Sequence, residues 1–265
     1  MQKITVAAKK IMPNILLKQL MRIYYFFIHK NERLPSTPIY QRYLRGKKGI
    51  EIGGPSPSIF RSTLPIYSII SNLDSVNFSR TTKWEGEIKE GKTFFYYGKE
   101  PGTQYIAEAS ELNCIKTNTY DFLLSSNCLE HVANPIKALE EWIRVVKIDG
   151  YILLILPKKN DNFDNKRPIT SFEHLLEDYK RNIAEDDLTH LNEVLELHDL
   201  SKDTNAGGFE KFKSTCMNNH NNREMHHHVF DLELIKKLFI YFNIQLIQVD
   251  ENKSDYFALG KLINK

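Results

Sequence analysis

The sequence predicts an α/β protein: an open, mostly parallel sheet with an antiparallel C-terminal hairpin and a helical insertion. Three observations lead there. Strand-like and helix-like segments alternate from about residue 46 onward. The runs "KGIEIG", "YDFLLSSN" and "YILLILP" are continuously apolar, as when both faces of a parallel sheet are covered. The polar "ENKS" joins "NIQLIQVD" to "DYFALGKLI", which reads as a hairpin.

Composition narrows the class. Hydrophobic residues make up 42% and charged residues 26% of 265, the balance of a soluble globular chain. A net charge of +3 is too small for a dedicated nucleic-acid binder. Cys114, Cys128 and Cys216 are far apart and form no C-x-x-C, so neither a disulfide framework nor a cysteine zinc cluster is expected, and a reducing cytoplasm fits best.

Residues 1–45 read as an N-terminal helical segment, and 46–265 as the main domain. "IMPNILLKQLMRIYYFFIHK" is apolar and aromatic, but Lys18 and Arg22 interrupt it. Its longest apolar run, Ile23 to Ile28, is far below the ~20 residues of a spanning helix. Nor does it carry a signal-peptide cleavage site. An amphipathic helix over residues 11–30 would pack on the domain, on a second subunit, or on a membrane surface.

The core elements follow in order. "KGIEIG" is the first strand and "IYSIISNLD" the second. "EGKTFFYYG" is a hairpin arm, "YDFLLSSN" the third core strand and "YILLILP" the fourth. Between the last two, Asn134 caps a helix, Pro135 fits its first turn, and Ile136, Leu139, Ile143 and Val146 share one face. "KIDG" should end it, with Gly150 near the stop. "DLELIKKLFIYF" is a helix. Residues 158–229 exceed the usual connection by an order of magnitude and must be a structured insertion on the substrate side. Within it, Thr170 and Glu173 form a capping-box pattern, and "EDDLTHLNEVLELHDL" reads as a helix from Asp187. Seven of the nine histidines lie at His174 or between His190 and His228.

The turn "EIGGPSPS" lacks the third glycine of a dinucleotide fingerprint, and Pro55 and Pro57 remove two backbone donors. Glu51 lies two positions before Gly53, which suits a cationic ligand better than a pyrophosphate. Residues 47–160 and the C-terminal hairpin resemble the class I S-adenosylmethionine-dependent methyltransferases. "ANPIKALEEWIRVVKIDGYILLILP" carries most of that resemblance. It implies a Rossmann-like sheet and an S-adenosyl-L-methionine site built from Glu51, Gly53 and Gly54, from Asp74 on the ribose hydroxyls, from Glu108 and Ala109 near the adenine, and from Ser126 and Asn127 near the methyl group. This cofactor has no phosphates, so a loop without a phosphate cradle suits it. The segment after Asp74 reads as strand and loop, so contacts near Phe78, Thr81 and Trp84 do not carry over.

"GGPS", "RPITSFEHLLEDY", "DDLTHLNEVLELHDL" and "HHHVFDLELI" together resemble bacterial methyltransferases encoded with surface-polysaccharide (capsule) genes. That implies O-methylation of a sugar, nucleotide-sugar or sugar-phosphate by a cytoplasmic enzyme. The alternatives are a phosphate or nitrogen acceptor, or a non-catalytic binding or assembly subunit. Methyl transfer to a hydroxyl needs a base, and histidine is the default. His198 falls on the stripe of Leu188, Leu191, Val194 and Leu195, with Asp199 beside it, and His190 lies at the stripe's edge. In an extended "MHHHVF", His226 and His228 share one face and His227 takes the other. The expected catalytic set is His198, His190, His227 and Asp199. A helical turn over "NCLEH" would bring Asn127, Glu130 and His131 together, so Glu130 and His131 are the candidates for a divalent metal.

Overall fold

The computed structural model describes residues 33–263. The expected helix over residues 11–30, with its membrane or subunit contact, lies outside them. Among the described residues no helix is long and apolar enough to cross a membrane.

Eight strands form one mixed sheet: β1 (Lys48–Ile52), β2 (Asn72–Asn77), β5 (Gly91–Phe94), β6 (Gly102–Ile106), β7 (Tyr120–Ser126), β8 (Val146–Pro157), β9 (Ile244–Glu251) and β10 (Asp255–Leu262). Their order is β5-β6-β2-β1-β7-β8-β10-β9, and β3 (Thr81–Thr82) pairs with β4 (Gly86–Glu87) as a separate hairpin. The pairs from β6 through β2, β1 and β7 to β8 are parallel. Antiparallel β5, β10 and β9 complete the two edges. The sheet is thus the mostly parallel, Rossmann-like sheet that the sequence predicts.

Alternate strand residues face two helical layers, which is why the strands are apolar throughout. Ile50, Ile52, Leu123 and Leu154 pack with Ile136, Leu139 and Trp142 of α2 (Pro135–Val145) and with Leu234, Ile235 and Leu238 of α7 (Leu232–Tyr241). On the other side, Phe122, Leu124, Leu153 and Ile155 pack with Tyr40 and Leu44 of α1 (Thr37–Leu44) and with Phe60 and Leu64. Asn134 caps α2 by accepting from the Lys137 N–H at 3.1 Å. Chain order reverses between β1 and β7, so the crevice at their carboxyl ends is where an open sheet of this kind places a ligand.

Residues 158–229 contain α3 (Phe172–Lys180), α4 (Leu191–Leu197), α5 (Phe209–Met217) and the single turn α6 (Asn219–Asn222). A small cluster of Val194, Phe212, Cys216 and Met225 forms their own core.

Several local expectations are corrected. The second strand starts at Asn72, not Ile66, because Ile66 to Ser71 turn beneath β1 and bury Ile66, Tyr67 and Ile70 against α1. α2 stops at Val145, and "KIDG" already belongs to β8. Asp149 takes a left-handed φ of 62°, and a Cβ on Gly150 would meet the Asp121 carbonyl oxygen at 2.8 Å. The cap of α3 is Ser171, which accepts from the His174 N–H at 3.1 Å; the Thr170 hydroxyl accepts instead from the Val229 N–H. The helix expected from Asp187 shortens to α4, because His198 at its end is already extended (ψ 126°).

Asp74 is the correction that matters most for function. It sits in the middle of β2, 2% exposed, and does not end the strand. Its carboxylate accepts from the Thr103 N–H at 2.6 Å and the Tyr120 hydroxyl at 2.9 Å, and Lys48 Nζ lies 3.4 Å away. It therefore ties β6, β2 and β7 together. Asp74→Ala leaves two buried donors unpaired and should lower the unfolding free energy by about 1–3 kcal/mol. Urea denaturation reads that loss, and calorimetry on the folded fraction should show cofactor affinity little changed.

Candidate active site

A cavity of about 910 Å³ opens at the carboxyl ends of β1, β2 and β7, under the residue 158–229 segment. That volume accommodates a ligand of cofactor size together with a small acceptor.

Its floor is the turn after β1. Gly53 takes φ +76°, and a Cβ there would press on Cys128 Sγ at 3.0 Å. Glu51 is fully buried behind this turn and does not line the cavity. Its carboxylate accepts from the Ser56 N–H at 2.9 Å and the Tyr67 hydroxyl at 2.5 Å. Burial pushes the Glu51 carboxyl up to about 7, even though those hydrogen bonds favour its charge. Glu51 thus shapes the loop from behind. Gly54 is also outside the lining: a Cβ would strike the Glu51 carboxyl at 2.4 Å, and the Gly54 carbonyl accepts from Asn77 Nδ2 at 2.9 Å. Asn77 and Phe78, at the true end of β2, line the cavity in the place expected for Asp74.

Glu108 and Ala109 line the next wall, and Ser126 and Asn127 the end of β7. Arg223, from the insertion, donates to Glu108 Oε1 at 2.7 Å, lies 3.4 Å from Glu185 and covers the Phe78 ring at 5.0 Å. The β3–β4 hairpin contributes Thr82, Trp84 and Glu85 and is tied to the insertion by the Lys83–Glu224 ion pair.

The expected histidines are elsewhere. His198 is wedged between Phe163 (4.4 Å) and Phe212 (4.1 Å) and bonds Asp203 at 3.2 Å. Asp199 takes the Ser201 hydroxyl and Asn165 at a turn. His190 meets His174 at 2.7 Å, and His227 accepts from Asn219 at 2.9 Å, fully buried. None of the four lines the cavity, because each is packed inside the insertion. Of the "HHH" run only His226 lines the cavity, while His227 and His228 both lie beside His190. His226 Nδ1 donates to Asp164 Oδ2 at 2.6 Å, which leaves Nε2 as the other ring nitrogen. Burial disfavours the charged ring, but the Asp164 and Glu130 carboxylates outweigh it and hold the His226 pKa above its ordinary value.

"NCLEH" forms no helical turn joining Asn127 to Glu130. Asn127 takes a left-handed φ of 49°, and only Leu129–His131 wind as a 3-10 turn. That turn still brings Glu130 and His131 to the insertion: the donor atoms of Glu130, His131 and His226 lie within 4.8 Å of one another. Both Glu130 oxygens are buried without a hydrogen-bond partner among the described residues. Burial lifts Glu130 to about 7 and holds His131 well below the usual histidine range.

A sequence family described as "Methyltransferase domain" matches residues 92–154. No curated protein matches the chain. Among solved structures, a methyltransferase from Methanosarcina mazei shares 14% identity over 86% of this chain and 98% of its own, with a TM-score of 0.48. One from Aquifex aeolicus shares 12% over 87% and 91%, at 0.43. The trans-methyltransferase CalH, solved with SAH, shares 13% over 92% and 59%, at 0.46. The match over residues 92–154 is to a methyltransferase domain, and the methyl donor it points to is S-adenosylmethionine.

The residues present fit that cofactor. Gly53 keeps the floor open, Phe78 and Ala109 offer apolar contacts, and Asn77 and Glu108 offer acceptors. Five carboxylates, Glu85, Glu108, Glu130, Glu185 and Asp255, line the cavity against the one arginine, Arg223. Like Glu130, Glu185 is pushed to about 7 by burial. A sulfonium favours the ionised form of both groups. At pH 7, adenosylmethionine binding should therefore release protons. Calorimetry in buffers of different ionisation enthalpy reads this as buffer-dependent heat, larger than for the uncharged S-adenosylhomocysteine. Equal buffer dependence for the two would refute it.

Proposed function

We propose that the chain transfers a methyl group from S-adenosylmethionine to a hydroxyl of a small polar acceptor, and that His226 is the base. The carrying observation is the His226–Asp164 pair at the cavity wall, 2.6 Å from Nδ1 to Oδ2. When bound, the cofactor supplies an electrophilic methyl on a sulfonium.

The chain's own residues do the rest. Asn77 uses Nδ2 on Gly54, which leaves Oδ1 as an acceptor for a ribose hydroxyl. Glu108 and Ala109 border the adenine, and Ser126 and Asn127 the methyl. His226 takes the acceptor's proton at Nε2. Asp164 fixes the tautomer and compensates the imidazolium that results, while Arg167, bonded to Asp164 at 2.9 Å, keeps Asp164 ionised and in place. The Glu130 carboxylate, within 4.8 Å of a His226 ring nitrogen, favours the proton's arrival.

A sugar or nucleotide-sugar, as in surface-glycan synthesis, is the acceptor class best supported. Trp84 lines the cavity yet is 54% exposed, and offers a ring face for the C–H face of a sugar. The excess of carboxylates disfavours a phosphate held inside the cavity, so a sugar-phosphate would keep its phosphate outside. The same excess favours an amine as the second reading. Product mass analysis on panels of sugars, nucleotide-sugars and amines separates the two.

His226→Asn should lower kcat by about 10²–10⁴-fold with little change in cofactor affinity. The base must be neutral, and its pKa is raised, so wild-type turnover should climb with pH through a midpoint above 6.5. A wild-type profile flat across that range, or equal loss of turnover and cofactor binding in His226→Asn, would remove His226 from this role.

A further inference from the structure

Away from the cavity, the insertion gathers a second set of ligating side chains. His174 and Asp178 stand one turn apart on α3, His190 begins α4, and His228 follows the cavity histidine by two residues. His174 Nε2 lies 2.7 Å from His190 Nε2 and 3.3 Å from Asp178 Oδ2. His228 Nε2 lies 3.0 Å from the same Oδ2. Four donor atoms, three nitrogens and one oxygen, all fall within 4.8 Å of one another.

A tetrahedral zinc with bonds of about 2.0–2.2 Å sets donor–donor edges of roughly 3.3–3.5 Å. Three of the six edges, at 2.7, 3.0 and 3.3 Å, lie at or just below that length, and the remaining three lie within 4.8 Å. Replacing the protons between these atoms by one cation would bring all four donors to a common centre. His228 and Asp178 are buried, and His174, 39% exposed, gives an ion a way in. Asp187 Oδ2 sits 3.8 Å from His190 Nδ1, which has no hydrogen-bond partner among the described residues. That is the place of an outer carboxylate that orients a metal-bound histidine. The overlapping group of Asp187, His190 and His227 offers only three ligands, and His227 is already engaged by Asn219.

We propose that His174, Asp178, His190 and His228 bind one divalent transition-metal ion of the zinc class. The donor set of three imidazoles and one carboxylate suits zinc or cobalt rather than magnesium or calcium. The ion fastens α3, the start of α4 and the 226–230 segment to one another. It is a structural staple that holds His226 from two residues away and does not touch substrate. The site is separate from the Glu130, His131 and His226 group.

The test uses the full chain, stripped with a chelator and titrated with Zn²⁺ and, separately, Co²⁺. About one ion should bind per chain, Co²⁺ should give the intense visible bands of a tetrahedral site, and Zn²⁺ should raise the Tm. Asp178→Asn and His190→Gln should abolish stoichiometric binding, while Glu130→Gln and His226→Asn keep it. Where the buried variants fail to fold, His174→Gln, at the most exposed ligand, serves instead: folded by circular dichroism, it should bind at least about tenfold more weakly. A wild-type chain that binds neither ion at micromolar concentration overturns the proposal. So does an ion lost on Glu130→Gln, which would place it in the cavity, or an ion retained undiminished in His174→Gln.

Discussion

The geometry of the active-site side of this molecule depends on one buried cation. Arg167 is 1% exposed and sits in the insertion with four of its five N–H groups engaged. Nε donates to Glu193 at 2.8 Å, Nη1 to Asp164 and the His226 carbonyl at 2.9 Å each, and Nη2 to the His227 carbonyl at 3.0 Å. A guanidinium without partners at that depth would be prohibitive, so the surrounding chain must close around it. Because two of its acceptors are backbone carbonyls, that closure fixes the path of residues 226–228 directly. The same Asp164 carboxylate then reaches His226 Nδ1, so one ion pair sets both the position and the tautomer of the cavity histidine.

The fixed segment also meets the sheet. The His227 N–H donates to the Glu130 carbonyl at 2.8 Å, joining the 226–228 segment to the 3-10 turn after β7. Glu130 and His131 therefore face His226 although they are almost a hundred residues away in the chain. The parallel sheet supplies a rigid end to β7, and the insertion supplies the histidine. The cavity exists because the two are pinned by backbone hydrogen bonds, a harder constraint than side-chain packing alone.

What could be read in the sequence divides along this line. The sheet, α2 with its Asn134 cap, the terminal hairpin and the glycine turn were legible, because each is written in a local period or a local cap. Asp74 stands three residues before the end of β2: the apolar "IYSII" looks like the strand, but its residues turn and pack beneath β1. Asn77 carries no charge and gave no signal. His198 and His190 lie on a helical stripe whose pattern runs in sequence beyond both ends of the real helix. His226 was visible as one face of "HHH", but nothing local distinguishes it from His228. The difference is made by Asp164 and Arg167, some sixty residues earlier, which cannot be paired with it from a single sequence.

The cavity's charge balance completes the picture. Glu51 lies behind the floor, and Glu130 and Glu185 lie in the walls, all lifted to about 7 by burial. Such a concentration of half-ionised carboxylates is costly in an empty site and is tolerated where the ligand is a cation. Glu108 ion-pairs with Arg223, which it shares with Glu185, and in the proposed reading that wall takes the neutral adenine. The polarity thus runs along the cavity, from the Arg223 pairs with Glu108 and Glu185 at one end to Glu130, without a hydrogen-bond partner among the described residues, beside His226. In the proposed reaction a neutral hydroxyl fits at the second end, because its proton would pass to His226 as the sulfonium's charge is lost to the transfer. The field that draws in the cationic donor also favours release of the neutral sulfide that remains.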